Sequence, residues 1–403
     1  MEKVFVTSYI IYICAFSFLP KSVQTAGFLL LLFVSIYYVW LNRNKMAKTY
    51  SMDDETRKLK RLFKLFISVS TFYLLLSFVN LPQLWGIEGL YYDVSYAPRH
   101  FFIVAELFIP ILLGYAIYQF NLFEKIKKNV KVMLLIWLYV ILFFAVNDLC
   151  VKGLLLIMLT FIAWKLSRKW IMFLAFFINY EQSAYILGFG AMMFFLFFEK
   201  VIISFLSKNT TRKIILIMSV AILGIFLLSG ILMIYVENDP NSIWRLKVWL
   251  NEIESLTETY FTGVGFGSAY VTEDILEQVN NSNMYSHSGK GGTEVGLFIV
   301  ANHSSLLNMF YRMGVLGGLL FVGLNVQIIR MVIKLYNQTD QQMRNLLWRL
   351  FSVWIYETVV IFLNPGLEMM QFALSYILSV SMLLAVVLEI QSVQRGLTPI
   401  NPQ

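Results

Sequence analysis

The chain has 403 residues, of which 59% are hydrophobic and only 14% charged, and a formal net charge of +8. A soluble protein of this length carries about 25% charged residues, so the composition excludes an ordinary water-soluble domain. The basic residues sit in short loops between apolar runs. The positive charge therefore reads as the positive-inside signature of a membrane protein, and no nucleic-acid partner is expected.

The apolar runs are near 20 residues long, and lipid offers no partner for open backbone. They lack the alternation of barrel strands. The sequence predicts an all-α, polytopic membrane bundle of about twelve transmembrane helices in the lipid bilayer. In chain order the expected spans are 4–19, 25–41, 62–80, 100–120, 131–146, 152–166, 170–180, 184–205, 214–235, 306–333, 346–363 and 368–390. The segment 170–180 is short for a bilayer core of about 30 Å. The loop 42–61 carries Arg43, Lys45, Lys48, Arg57, Lys58, Lys60 and Arg61, which places it and both termini in the cytoplasm. Residues 1–235 thus read as nine transmembrane helices, 236–305 as a large extracytoplasmic loop, and 306–403 as three more helices and a cytoplasmic tail. Cys14 and Cys150 have no metal-ligand spacing and read as free thiols.

The loop 236–305 is where the polar chemistry collects. It opens with Glu237-Asn238-Asp239-Pro240, closes with Asn302-His303-Ser304-Ser305, and has nine acidic residues against Arg245, Lys247 and Lys290. Residues 242–258 predict a helix capped by Ser242, with Ile243, Leu246, Trp249, Leu250, Ile253 and Leu256 on one apolar face. Arg245 then stands in the first turn, where the dipole disfavours a cation. That placement suits either an anionic partner or a snorkelling interfacial arginine.

Gly263, Gly265 and Gly267 follow in Thr262-Gly-Val-Gly-Phe-Gly-Ser268. Alternate glycines permit close backbone approach to a ligand, or form a tight structural turn. No strand precedes them, which argues against a nucleotide fingerprint. His303 stands at a water–membrane boundary, where imidazole serves as a general base near neutral pH or a purely structural role. His287 and Lys290 lie in a Gly/Ser-rich run. Two histidines without nearby cysteine do not make a metal site. Arg99 and His100 end the first outer loop, Arg312 lies nine residues after His303, and Glu106 and Glu357 are intramembrane charges expected to face the bundle interior.

Taken together, Arg245 and Trp249 on a helix, then Gly263-Val-Gly-Phe-Gly267, then His303 before an apolar span with Gly314-Val-Leu-Gly-Gly318 resemble the O-antigen ligase and O-antigen/capsule polymerase family of bacterial inner membranes. The match is strongest over about residues 245–325. Two features depart from that family. Ser304 follows the histidine where an Asn is common, and Glu181-Gln182-Ser183-Ala184 lacks a Ser/Thr-Arg pair.

The resemblance implies an inverting, metal-independent glycosyltransferase without cofactors, acting on the outer face of the inner membrane. Its partners would be an undecaprenyl-pyrophosphate-linked glycan donor, a glycan acceptor, and a chain-length regulator or flippase. It implies His303 at the acceptor and Arg245 at the diphosphate, with Arg99 and Arg312 as further diphosphate contacts. The expected activity is polymerisation of repeat units into O-antigen, capsule or exopolysaccharide. Ligation of finished glycan to the lipid A-core of lipopolysaccharide is the close alternative. A secondary transporter or flippase is the alternative from another class, and a non-catalytic member of an assembly complex is a third.

Overall fold

The computed structural model describes residues 54–77, 149–176, 183–207, 212–213, 240–265, 272–275, 277, 304–363 and 370–394. Of the interpretable residues 89% are helical, and none is in a strand. The expected spans 4–19, 25–41, 100–120, 131–146 and 214–235 lie outside the described residues, as do the side chains of Cys14 and Cys150 and all of Glu106.

Eight α-helices are described: α1 Asp54–Ser77, α2 Leu149–Lys165, α3 Ser183–Phe197, α4 Glu199–Leu206, α5 Pro240–Glu258, α6 Ser305–Tyr336, α7 Gln341–Leu363 and α8 Met370–Gln394. Helices α6 and α7 are each long and apolar enough to cross a membrane, and α3 with α4 makes a third if the bent pair is one span. These features fit a helical membrane protein. The chain divides into two units, residues 1–60, 105–207 and 327–403 in one and residues 61–104 and 208–326 in the other.

In the first unit α7 packs against α2, α3 and α8, and α8 also packs against α2. Its buried face is aromatic, with Trp348 tilted against Phe351 and Phe351 stacked on Trp354. Gly188 lets α3 approach closely, since a Cβ there would stand 2.9 Å from Tyr356. Indole N–H groups tie helix ends together, Trp164 donating to the Gln342 carbonyl at 2.8 Å and Trp348 to the Phe195 carbonyl at 2.9 Å. Glu357 is buried, in line with the cost of leaving a charge in lipid. The exposed face is apolar too. Trp170, Ile186, Leu187, Phe194 and Val201 point outward, as a lipid-facing surface requires.

Two expected spans take a different form. The run 184–205 is not one helix: α3 and α4 meet at an angle of 82°. The charged residue at the join, Glu199, is tethered there. The Glu199 carboxylate accepts from Lys169 Nζ at 2.7 Å and from the Tyr336 hydroxyl, and so holds the start of α4 beside those groups. The run 170–180 begins as a 3-10 helix, Lys169–Ala175. At about 2.0 Å per residue this rises roughly 14 Å, short of a crossing. Elsewhere the runs hold with shifted ends. Helix α1 starts eight residues before its expected span and α7 five residues before.

Helix α1 begins early because its first turn is anchored. The Glu55 carboxylate accepts from Gln327 Nε2 at 2.7 Å and Lys58 Nζ at 3.1 Å, and Arg330 Nη2 lies 3.7 Å away. Next to it Gln391 Nε2 donates to Thr56 Oγ1 at 2.8 Å. Partial burial pushes the Glu55 carboxyl up, but the Gln327 amide, Lys58 and Arg330 outweigh it, and its pKa falls below the ordinary 4.5. A depressed folded-state pKa contributes stability above the unfolded value, and that stability is lost as pH falls through the folded value. Replacing Glu55 by Gln therefore lowers stability by about 1–2 kcal/mol at neutral pH. Thermal unfolding in detergent should show the gap between the two proteins close as pH drops below about 4.5.

Candidate functional site

The second unit holds the part of the large polar loop that the structure describes. Helix α5 starts at Pro240, a residue suited to the first helical turn because it lacks an N–H. Ser242 is therefore inside the helix and is not its cap. Arg245 falls in the second turn, which weakens the dipole argument for an anionic partner. The side chain of Arg245 lies outside the described residues.

The buried face of α5 also differs from the apolar stripe that periodicity selects. Val248, Asn251 and Glu252 are buried, while Leu250 is 46% exposed and Trp249 and Ile253 are half-buried. The inward face is thus rotated by about one residue and carries an amide and a carboxylate. Glu252 interacts electrostatically with Tyr311 on α6. That long-range partner is why a local apolar count misses it.

Helix α5 ends in a Schellman turn. The Phe261 amide donates to the Leu256 carbonyl at 2.8 Å and the Tyr260 amide to Thr257 at 3.0 Å, with Tyr260 left-handed at φ 50°. Phe261 is left-handed too, at φ 63°. The chain then runs through Gly263-Val264-Gly265 along a break in α6. The break is at Gly314 (φ 64°, ψ −170°), a conformation essentially confined to glycine.

Breaking a helix orphans backbone groups, and here three of them can be followed. The Val315 amide, which an unbroken helix would aim at the Tyr311 carbonyl, donates to the Phe261 carbonyl at 3.0 Å. The Tyr311 and Arg312 carbonyls are taken up by the amides of Val264 and Gly265, each at 2.9 Å. The Tyr73 hydroxyl donates to the Thr262 carbonyl. The glycine run and the helix break are therefore one object, and neither is stable without the other. Two amides of the glycine run, those of Val264 and Gly265, are thus occupied within the protein and not turned to an anion.

Arg312 sits under this clasp with none of its surface exposed. Its Nη1 donates to the Gly265 carbonyl at 3.2 Å, and its guanidinium lies 5.2 Å from the centre of the Tyr311 ring. It is held as part of the clasp. One turn earlier on the same face of α6, Asn308 is fully buried, and neither its Oδ1 nor its Nδ2 has a hydrogen-bond partner among the described residues. Ser304 and Ser305, which open α6, are buried as well. Ser304 Oγ accepts from the Leu307 amide at 3.4 Å, a helix cap next to His303 in sequence.

Of the residues singled out from sequence, Gly265 and Arg312 are bonded to each other, and Gly263 lies hard against the Arg312–Gly314 backbone. Arg99, Gly267, His287, Lys290 and His303 lie outside the described residues. The buried polar groups Asn251, Glu252 and Asn308 were not found from sequence. Asn308 had one available signal, an amide five residues past His303 in an otherwise apolar helix start. Comparison with protein-family models and with curated proteins found no match to this chain.

Proposed function

We propose that the protein is a membrane glycosyltransferase that joins lipid-pyrophosphate-linked oligosaccharide repeat units into a longer polysaccharide on the outer face of the bacterial inner membrane. The observation that carries this reading is the clasp. The large polar segment is docked by its glycine run onto a broken apolar helix. The buried face around it carries the polar groups Glu252, Asn308 and Arg312 alongside Val248, Met309 and Met313. A site that processes sugars near a lipid surface needs such hydroxyl-matching groups out of bulk water.

In the proposed reaction an acceptor hydroxyl oxygen attacks the anomeric carbon of the donor sugar. The bond from that carbon to the pyrophosphate oxygen breaks with inversion, and the lipid pyrophosphate leaves. His303 takes the hydroxyl proton. Arg245 meets the leaving diphosphate with the planar fork that matches phosphate oxygens, and Arg99 is a further contact. Gly267, His287 and Lys290 belong to the donor-facing part of the segment. Arg312 acts from beneath by fixing the Gly263–Gly265 run. Asn308, with donor and acceptor both uncommitted, is suited to a sugar hydroxyl.

A second reading has one observation in its favour. Transporters bind substrate where helices are broken, and α6 is broken at Gly314. The purified protein, placed in vesicles with a lipid-linked single repeat unit, separates the cases. Longer chains are expected. Single repeats moved across the bilayer unchanged would indicate a transporter or flippase, and transfer only to added lipid A-core would indicate a ligase.

A further inference from the structure

A second cluster, in the first unit, is independent of that reading. It gathers on Glu199 at the α3–α4 bend. Lys169 Nζ reaches the Glu199 carboxylate at 2.7 Å and the Leu196 carbonyl at 3.2 Å. The Tyr336 hydroxyl donates to the other carboxylate oxygen. The Arg344 guanidinium lies 5.4 Å from the centre of the Tyr336 ring, and Trp348 packs edge-on to the same ring. Arg349, five residues beyond Arg344 on α7, also interacts with Glu199 electrostatically.

Among the described residues, Lys169 and Arg349 both act on the one Glu199 carboxylate, which already has two hydrogen-bond donors, and Arg344 adds a further cation over the Tyr336 ring. Arg349 is only 3% exposed, and its Nε and Nη1 have no hydrogen-bond partner among the described residues. An arginine does not escape by losing its proton. A buried cation with idle donors is costly unless an anion meets it. Lys169 and Arg344 are half-exposed, and Lys169 shares Glu199 with Arg349.

The neighbouring surface says what kind of anion. Trp170, 69% exposed, stacks on Phe173 with centroids 5.5 Å apart and lies 5.0 Å from Phe197. Both phenyl rings are also exposed. An exposed aromatic shelf directly after a lysine is the residue pattern of a headgroup boundary, with apolar area for an acyl chain on one side and charge for the head on the other.

We infer that Lys169, Arg344 and Arg349 bind the phosphate of an anionic phospholipid whose acyl chain lies along Trp170, Phe173 and Phe197. The phosphate oxygens accept from Arg349 Nε and Nη1, and Arg344 closes over the head.

The test is lipid binding to the purified full-length protein in neutral detergent, read by native mass spectrometry and by thermal shift. The probes are phosphatidylglycerol, phosphatidylethanolamine and inorganic phosphate. Phosphatidylglycerol should bind at least tenfold more tightly than phosphatidylethanolamine and raise the Tm. Arg349→Gln should abolish that preference. Arg344→Gln, at a half-exposed position where folding is safe, should reduce it several-fold, and Trp170→Ala should weaken phosphatidylglycerol without creating a preference for inorganic phosphate. Equal binding of the two lipids, or unchanged preference in both arginine variants, would overturn the assignment. Binding of inorganic phosphate that displaces phosphatidylglycerol at equal concentration would overturn the lipid as occupant.

Discussion

Gly314→Ala and Gly263→Ala are each expected to remove most folded, active protein. A Cβ on Gly314 would lie 2.4 Å from the Phe261 carbonyl oxygen and 2.5 Å from the Thr262 carbonyl. One on Gly263 would lie 2.3 Å from the Gly314 amide nitrogen and 2.9 Å from the Arg312 carbonyl oxygen. In both cases the obstacle is backbone that is itself hydrogen-bonded, so no side-chain rotation relieves it. Both glycines also have positive φ, 64° and 83°, which adds strain of about 1–3 kcal/mol for any other residue. The combined loss is on the order of 4 kcal/mol, the range reached only by core disruption. Gly323→Ala in the same helix is the control. Nothing lies within 4 Å of its would-be Cβ, so exchange there should be neutral or stabilising by about 0.5–1 kcal/mol. Thermal unfolding of the three variants in one detergent should separate them clearly. Because both clasp glycines touch the same backbone, the double variant should cost far less than the sum of the singles. Additive losses would mean that the two segments are not docked as described.

His303→Ala and Arg245→Ala carry the largest expected effect on activity. Removing a positioned general base costs about 100-fold or more in rate, and removing a charged contact to a leaving group costs about as much. Both proteins should insert and unfold like the parent, while glycan extension from a lipid-linked repeat unit falls by about two orders of magnitude. Arg245→Lys should recover only part of it, since an ammonium lacks the two-pronged geometry that diphosphate oxygens match. Extension that survives in stably inserted His303→Ala protein would defeat the assignment of that imidazole to the acceptor.

The parts of the fold that were legible in sequence are those set by local apolar content. Helix α6 was expected over 306–333 and spans Ser305–Tyr336, because a long apolar run has no other option in lipid. What was not legible depends on partners far along the chain. The break at Gly314 cannot be read from Met313-Gly-Val315, since the groups that stabilise it are at 261–265. The inward turn of Glu252 goes with Tyr311, 59 residues on. The bend at Phe198 goes with Lys169 and Tyr336 holding Glu199. In the candidate site, the sequence singles out the glycine run and Arg312 as candidate ligand contacts, and the structure pairs Gly265 with Arg312. Their mutual bonding was hidden, because spacing along a sequence says nothing about which two stretches will pair.

The clasp also bears on how such a protein could diversify. Its two arms, 261–265 and 311–315, are joined by bonds between main-chain atoms, apart from the Arg312 and Tyr73 side-chain contacts. A closure made by main-chain atoms is indifferent to most of the side chains that carry it. Exchange at Thr262 or Val264 that keeps the backbone path is therefore thermodynamically cheap, whereas the two glycines, each pressed against the opposite backbone, are fixed.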